Sequence, residues 1–523
     1  MKVDVAASAG EAHPGEPPRG GPASVGLDSR WLFGSAAAAI AIVAGLVLRF
    51  VAPPHLWLDE ALTVNIAQLP LDQLRGALEH DGAPPLFFVL LHGWIALFGA
   101  SDGAARALAG VIGCIAVGMA YVAGARFGRT PGERRWLGVA AMVVVATSPY
   151  AIRYSSEARM YSLVVALVFA GIALVADLWS AASRWRSGAL AVVTAGLLYT
   201  QYWSLFLLAT VAVALLIVML RRPIPDRRRA RRVLAAIAAG CVLFLPWVPT
   251  LRTQLAHTGT PWDAPARPFA STWHSIVAFG GGRSALGGLL TGMLVGLGAV
   301  AVVGRKEHLT RSARQLVAVG AATLGVAITV SVVTESGVQD RYAAVVFPFV
   351  ALTGAVGIAV VRNLRARVAV LAVVAAVGLV SGFRASREVR TASGSIARAI
   401  VVGAGAGDVV AYCPDQLGPS TARLLESDRD QVVFPNLDRP EFVDWTDYAS
   451  RTAAGSPVRF ARRVDERAGQ HRVWLVWSPG YRTLGTKCES VINALTDAGR
   501  RATKVRVASG PNGERVELRR FDR

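Results

Sequence analysis

The 523-residue sequence is poor in charge, with Asp, Glu, Lys and Arg making up 17% of it against 53% hydrophobic residues. Soluble domains carry about 25% charged residues, so an ordinary cytosolic globular protein is excluded. Acid is scarcer still, 35 residues against 55 basic ones, which leaves a formal net charge of +20. That surplus does not read as a nucleic-acid surface, because the arginines sit in short clusters between apolar runs, where the positive-inside bias places cytoplasmic loops. No nucleic-acid partner is expected. There are only four cysteines, and none forms a CxxC pair or a Cys/His group with metal spacing, so zinc has no support. A glycine-rich nucleotide fingerprint is also missing, since the stretch from Gly403 to Gly407 precedes its strand where a dinucleotide loop would follow one. Internal repeats are not evident.

What the chain does have is apolar length. Runs of about 18 to 22 residues, each able to cross a ~30 Å hydrocarbon core, recur from Trp31 to about Arg384 and then stop. Residues 1–30, rich in Pro, Gly, Ala and charge, read as a disordered cytoplasmic tail. The run from Trp31 to Phe50 leads into Pro53-Pro54 without a small-residue cleavage site and is expected to be a retained first membrane helix. Later candidate spans are 104–125, 136–150, 162–182, 187–203, 204–220, 233–250, 285–303, 315–334, 341–361 and 367–383. Basic clusters at 126–135, 184–186, 221–232, 305–314 and 362–367 all face the cytoplasm only if the apolar segment 84–98 does not cross. That segment, which opens at Pro84-Pro85, is therefore read as a juxtamembrane or re-entrant helix in a long outer loop, 52–106.

The expected fold is a polytopic α-helical membrane protein of about eleven transmembrane helices over 31–384. A C-terminal extracytoplasmic α/β domain over 385–523 follows. Strand-like runs such as 408–413 and 473–477 there alternate with helical stretches such as Glu489 to Arg500. Cys114 and Cys241 fall in apolar spans and behave as small hydrophobes. Cys413 and Cys488 share the outer domain, an oxidising location, and are expected to be disulfide-bonded.

This topology collects Asp59, Glu60, His80, Asp81, Arg153, Glu157, Arg159, Arg252, His257, His274 and Arg341 on the outer side. Ionisable groups at membrane level are costly unless they pair or face a cavity, so the gathering suggests a polar site beneath the outer interface. Four constellations carry it, and each has a bland reading. Trp57-Leu58-Asp59-Glu60-Ala61 offers a general base or a metal-binding carboxylate, or a solvated helix start. His80-Asp81-Gly82-Ala83-Pro84-Pro85-Leu86-Phe87 is a polar turn, or simply Asp-Gly and Pro-Pro starting a helix. Arg153-Tyr154-Ser155-Ser156-Glu157-Ala158-Arg159-Met160-Tyr161-Ser162 is a charged site loop, or a salt-bridged interfacial one with its tyrosines in the aromatic belt. Gln339-Asp340-Arg341-Tyr342 holds a phosphate ligand, or a snorkelling arginine.

In order and spacing the four together resemble the GT-C superfamily of integral-membrane glycosyltransferases, over about residues 30 to 360. The branch is the family-39-like one that contains protein O-mannosyltransferases and lipid A aminoarabinose transferases. There an acidic residue follows the first helix, as Asp59 does. An H-x-D-x-x-P-P-L-like segment starts a juxtamembrane helix, as His80 to Leu86 do approximately, and an acidic motif occupies the next outer loop, where this sequence has Glu157 in place of the commoner Asp. The resemblance implies transfer of a sugar from a polyprenyl-phosphate donor to an acceptor hydroxyl of a glycan, lipid or protein on the outer face. It makes Asp59 and Glu60 the catalytic candidates, and His80, Asp81, Arg153, Glu157, Arg159, Arg341 and Tyr342 the substrate-binding ones. Metal use differs among such enzymes, so a divalent cation near Asp59 and Glu157 stays open. The Ala, Gly, Val and Arg content points to a GC-rich bacterial source, which favours mannosyl or arabinosyl transfer in cell-envelope glycan assembly. Two other classes compete. A lipid-linked sugar transporter would show paired repeats and midplane polar groups, and an inactive glycan-binding scaffold would not need both Asp59 and Glu157.

Overall fold

The computed structural model describes residues 29–260, 263–426, 428–509 and 515–523. The tail expected over 1–30 lies outside the described residues except for its last two.

The first part is a helical bundle. It opens with α1 (Ser29–Leu48), then three helices of the long loop, α2 (Leu58–Ala67), α3 (Leu71–Asp81) and α4 (Leu86–Phe98). There follow α5 (Asp102–Ala125), α6 (Pro131–Thr147), α7 (Pro149–Ser155), α8 (Tyr161–Ser180), α9 (Arg184–Thr200), α10 (Ser204–Arg221) and α11 (Ile224–Phe244). Next come α12 (Val248–His257), α13 (Pro268–Phe279), α14 (Ala285–Val303), α15 (Glu307–Val333), α16 (Phe347–Val360) and α17 (Leu364–Arg387). Each of the eleven expected spans falls on a helix. Among the described residues seven of them are long and apolar enough to cross a membrane alone, or eight with the bent pair α6 and α7. The 13-residue α4 rises only ~20 Å, short of a ~30 Å core. The 14-residue α16 is also short, and a 3-10 stretch, Asp340–Val345, leads into it.

Local chemistry sets the breaks that matter for the site. At Ser148-Pro149 the proline lacks an N–H and forces the preceding residue out of the helical region, so α7 leaves α6 at 61°. The Ser148 side chain then caps α7 by accepting the Ala151 N–H. Gly82, at φ +81°, ends α3 in the left-handed region with its N–H on the Leu78 carbonyl. A side chain there would also meet Thr258 Oγ1 at 2.8 Å. The basic loops converge at one end of the bundle. Arg126 and Arg186 both reach Asp177, at 2.8 and 3.9 Å. Arg232 donates to the Leu178 carbonyl, and Lys306 and His308 meet Glu133 at 3.4 and 3.2 Å.

Beyond α17 the chain forms α18 (Ser393–Gly403), then strands β1 (Val409–Cys413), β2 (Asp430–Val433), β3 (Val473–Trp477), β4 (Arg501–Ser509) and β5 (Arg515–Asp522) with helices between them. The sheet order is β2-β1-β3-β5-β4. The first three strands are parallel, and β5 runs antiparallel to both β3 and β4. Val-Val-Ala-Tyr-Cys and Val-Trp-Leu-Val-Trp are buried throughout, as parallel strands covered on both faces must be. Cys413 and Cys488 are joined as a disulfide, which ties the end of β1 to the helix Lys487–Asp497.

This domain sits directly on α2. Leu62 packs with Val443, Trp445 and Tyr448. Asn65 donates to the Glu441 carbonyl at 2.7 Å and accepts from Arg423 at 2.9 Å.

Candidate active site

The site is built on the first turn of α2, where the sequence runs Leu-Asp-Glu-Ala. Adjacent positions on a helix diverge by about 100°, and the two acids accordingly take different roles. Glu60 is fully buried and bound by Arg106 of α5, with Nε 2.7 Å from Oε1 and Nη2 2.5 Å from Oε2. Its Oε1 also accepts the Ala158 N–H at 2.9 Å, and its Oε2 accepts the Trp57 N–H at 3.4 Å. Both oxygens of Glu60 are therefore engaged. The pair ties α2 to α5, because a buried arginine needs its counter-charge.

Asp59 points elsewhere. Its Oδ2 lies 3.2 Å from Arg341 Nη2 and 4.0 Å from Arg159 Nη2, with all three side chains less than one-fifth exposed. Arg159 also donates to Thr63 Oγ1 at 2.7 Å, and Thr63 donates to the Asp59 carbonyl at 2.6 Å. The Arg341 guanidinium lies over the Trp57 ring at 5.3 Å and near its neighbour Tyr342 at 5.7 Å. Asp81, at the end of α3, is coupled by charge to Arg159 and Asp59. Burial pushes its carboxyl up to about 6, with Asp59 adding to the rise and Arg159 opposing it. Three N–H groups around Asp59 are buried and unpartnered: Nε of Arg159, Nε of Arg341 and Nε1 of Trp57. Each is a donor, and a cluster of spare donors is suited to an anion.

The structure brings Asp59, Asp81, Arg159, Arg341 and Tyr342 together and places the remaining candidates around them. Glu157 is 1% exposed and wedged between Arg153 at 3.5 Å and Arg390 at 3.7 Å. Arg153 reaches on to Glu388 at 2.7 Å. His80 turns outward, with its Nδ1 2.9 Å from Asp444 Oδ1 of the C-terminal domain. His257 pairs with Asp447 at 3.2 Å in the same way. His274 contacts Arg283, and Arg252 is exposed. A divalent cation does not fit. Among the described residues no three His, Cys, Asp or Glu side chains converge, and the groups nearest to Asp59 and Glu157 are guanidinium cations.

Several residues of the site carry no sequence signal of their own. Trp57 opens the first motif without a role assigned to it there, Arg106 lies outside all four motifs, Thr63 lies one helical turn beyond Asp59, and Arg390 donates twice to Ser156 from far along the chain.

The bundle and the sheet domain together share their fold with membrane proteins of known structure. The chain is similar to ArnT of Cupriavidus metallidurans, solved bound to undecaprenyl phosphate, with a TM-score of 0.55 at 12% identity over 94% of this chain and 98% of that one. The apo state of the same protein gives 0.56 with the same identity and coverage. A third similar structure is the archaeal oligosaccharyltransferase AglB of Archaeoglobus fulgidus, in complex with an inhibitory peptide and a dolichol-phosphate. It has a TM-score of 0.51 at 10% identity over 93% of this chain and 74% of that one. No family model matches the sequence, and no protein of curated function matches it. The likeness to ArnT covers enough of the chain to include the C-terminal domain.

Proposed function

We propose that the protein is a polyprenyl-phosphate-sugar-dependent glycosyltransferase acting at the outer face of the membrane, with a glycan, lipid or protein hydroxyl as acceptor. The observation that carries this reading is the pairing of one carboxylate, Asp59, with two guanidinium groups that each keep an unsatisfied N–H. In the reaction Asp59 accepts the proton of the acceptor hydroxyl, whose oxygen bonds to the anomeric carbon. The bond from that carbon to the phosphate oxygen breaks, and the electron pair leaves with the lipid phosphate. Arg159 and Arg341 receive that charge, which planar guanidinium groups bind through two oxygens. Ala158 and Glu60 fix the loop that carries Arg159 against the helix that carries Asp59.

The side of the membrane rests on two supports. The arginine-rich loops converge at one end of the bundle, the end the positive-inside rule assigns to the cytoplasm together with the N-terminus. The Cys413–Cys488 bond suits an extracytoplasmic C-terminal domain. The composition favours mannosyl or arabinosyl transfer into cell-envelope glycans. Likeness of fold to ArnT, which was solved with undecaprenyl phosphate, agrees with a lipid-linked donor.

The test is to incubate purified protein in lipid nanodiscs with radiolabelled polyprenyl-phosphate sugars and an envelope extract. Label passing to an acceptor, with release of the lipid phosphate, is expected. Label crossing a vesicle bilayer without bond cleavage points to a transporter, and binding without either outcome points to a scaffold.

A further inference from the structure

Outside the Asp59 cluster, two buried side-chain oxygens without a partner sit in the turn between α9 and α10, Gln201-Tyr202-Trp203-Ser204. Gln201 leaves α9 in an extended conformation and Ser204 begins α10. Gln201 is 5% exposed and Ser204 fully buried, yet Gln201 Oε1 and Ser204 Oγ have no hydrogen-bond partner. Buried polar atoms are nearly always paired, and those that are not call for a specific explanation.

The turn is braced against both sides of the candidate site. Gln201 Nε2 donates to the Tyr342 carbonyl at 3.4 Å, which fixes the amide orientation and leaves Oε1 as the free atom. The Trp203 ring lies 5.6 Å from the Tyr342 ring. On the other side Tyr202 donates to Gln254, whose amide donates to the carbonyls of Leu78 at 2.7 Å and Ala83 at 3.1 Å. Those two carbonyls flank Asp81. One four-residue turn thus supports both the Arg341–Tyr342 side and the Asp81 side.

We infer that Gln201 and Ser204 recognise hydroxyl groups of the sugar carried by the donor, and so help to set which sugar is used. This inference rests on the glycosyltransferase reading above. The chemistry separates the two ends of the donor. The spare groups near Asp59 are all donors and suit phosphate oxygens. A carboxamide oxygen only accepts and would repel a phosphate, while a serine hydroxyl both donates and accepts. An acceptor and a donor–acceptor in one turn match hydroxyls of a sugar ring, and Tyr342 and Trp203 add an aromatic pair next to Arg341.

The experiment measures dissociation constants of short-chain polyprenyl phosphate and of its mannosyl, glucosyl and arabinofuranosyl derivatives for the full-length protein, Ser204→Ala and Gln201→Met. A lost neutral hydrogen bond weakens binding about three- to tenfold. Each variant is expected to lose about that much affinity for the best-bound glycosylated carrier while holding the bare carrier as tightly as the wild type. Equal weakening for bare and glycosylated carriers, or no change for either, overturns the inference and leaves the glycosyltransferase reading standing. A wild-type protein that binds none of the four overturns both. If Gln201→Met no longer holds the bare carrier because its fold is disturbed, Ser204→Ala decides alone, since its hydroxyl supports no other group.

Discussion

Arg106 grips both oxygens of Glu60 while Ala158 shares one of them, so a single buried carboxylate joins α5, the start of α2 and the loop that carries Arg159. Asp59 and Arg159 are set side by side by a residue that need not touch substrate.

The two neighbouring acids should separate experimentally. Asp59→Asn keeps shape and removes the base, so turnover should fall by about 10² to 10⁴ while donor affinity changes little. Glu60→Gln leaves Arg106 buried without its counter-charge, and removal of one partner of such a pair costs about 3–5 kcal/mol. Its melting temperature should drop well below that of Asp59→Asn in the same detergent. Near-normal turnover in Asp59→Asn, with chemistry limiting, would remove the base assignment.

Arg341→Lys keeps the charge but loses the planar fork and much of the contact with Trp57. Donor affinity should fall about ten- to hundredfold, the value of a charged hydrogen bond. Titration calorimetry with a polyprenyl-phosphate sugar checks it, with melting temperature as the control. Unchanged affinity would return Arg341 to a role in anchoring its helix at the interface.

Asp81 gives the site a pH dependence. Its folded carboxyl lies at about 6, above the ordinary value of 3.8. A raised carboxyl adds stability while protonated, and that contribution is lost as pH rises from about 3.8 through about 6. The same sign applies to binding. A phosphodiester donor, whose own charge is constant in this range, should bind more tightly below pH 6 than above it because a neutral Asp81 no longer repels it. Asp81→Asn should flatten that profile. A wild-type dissociation constant equal at pH 5 and 7.5 would count against this.

Sidedness is testable with one fusion. A reporter placed after Gly128, beside Arg126 and Arg129, should read cytoplasm if α4 does not cross. An external reading reverses the orientation of every site residue.

The helical module was legible because long apolar runs and clustered arginines are one-dimensional signals, and the parallel strands announced themselves as unbroken hydrophobic runs. Asp59 and Arg341 stood out as charges at the edges of spans. Their partners did not. No spacing rule separates Glu60 from Asp59, since the difference lies in which face of α2 meets Arg106, 46 residues away. His80 looked like part of the same motif as Asp81, yet its partner Asp444 is 364 residues distant. Arg390 lies beyond the last span and still reaches Ser156. Gln201 and Ser204 are unremarkable in composition and become visible only as buried atoms with nothing to bond.

The helix that carries Asp59 presents one face to the bundle and another to Arg423, Glu441 and Trp445 of the sheet domain. The two halves are therefore not interchangeable cassettes. A chimera joined cleanly after α17 would graft a foreign surface onto Leu62 and Asn65 and so alter the mounting of the helix that carries Asp59. The outward side of α2, Arg423 and the stretch 441–448 form one seam, across which a change in either half calls for an answer in the other.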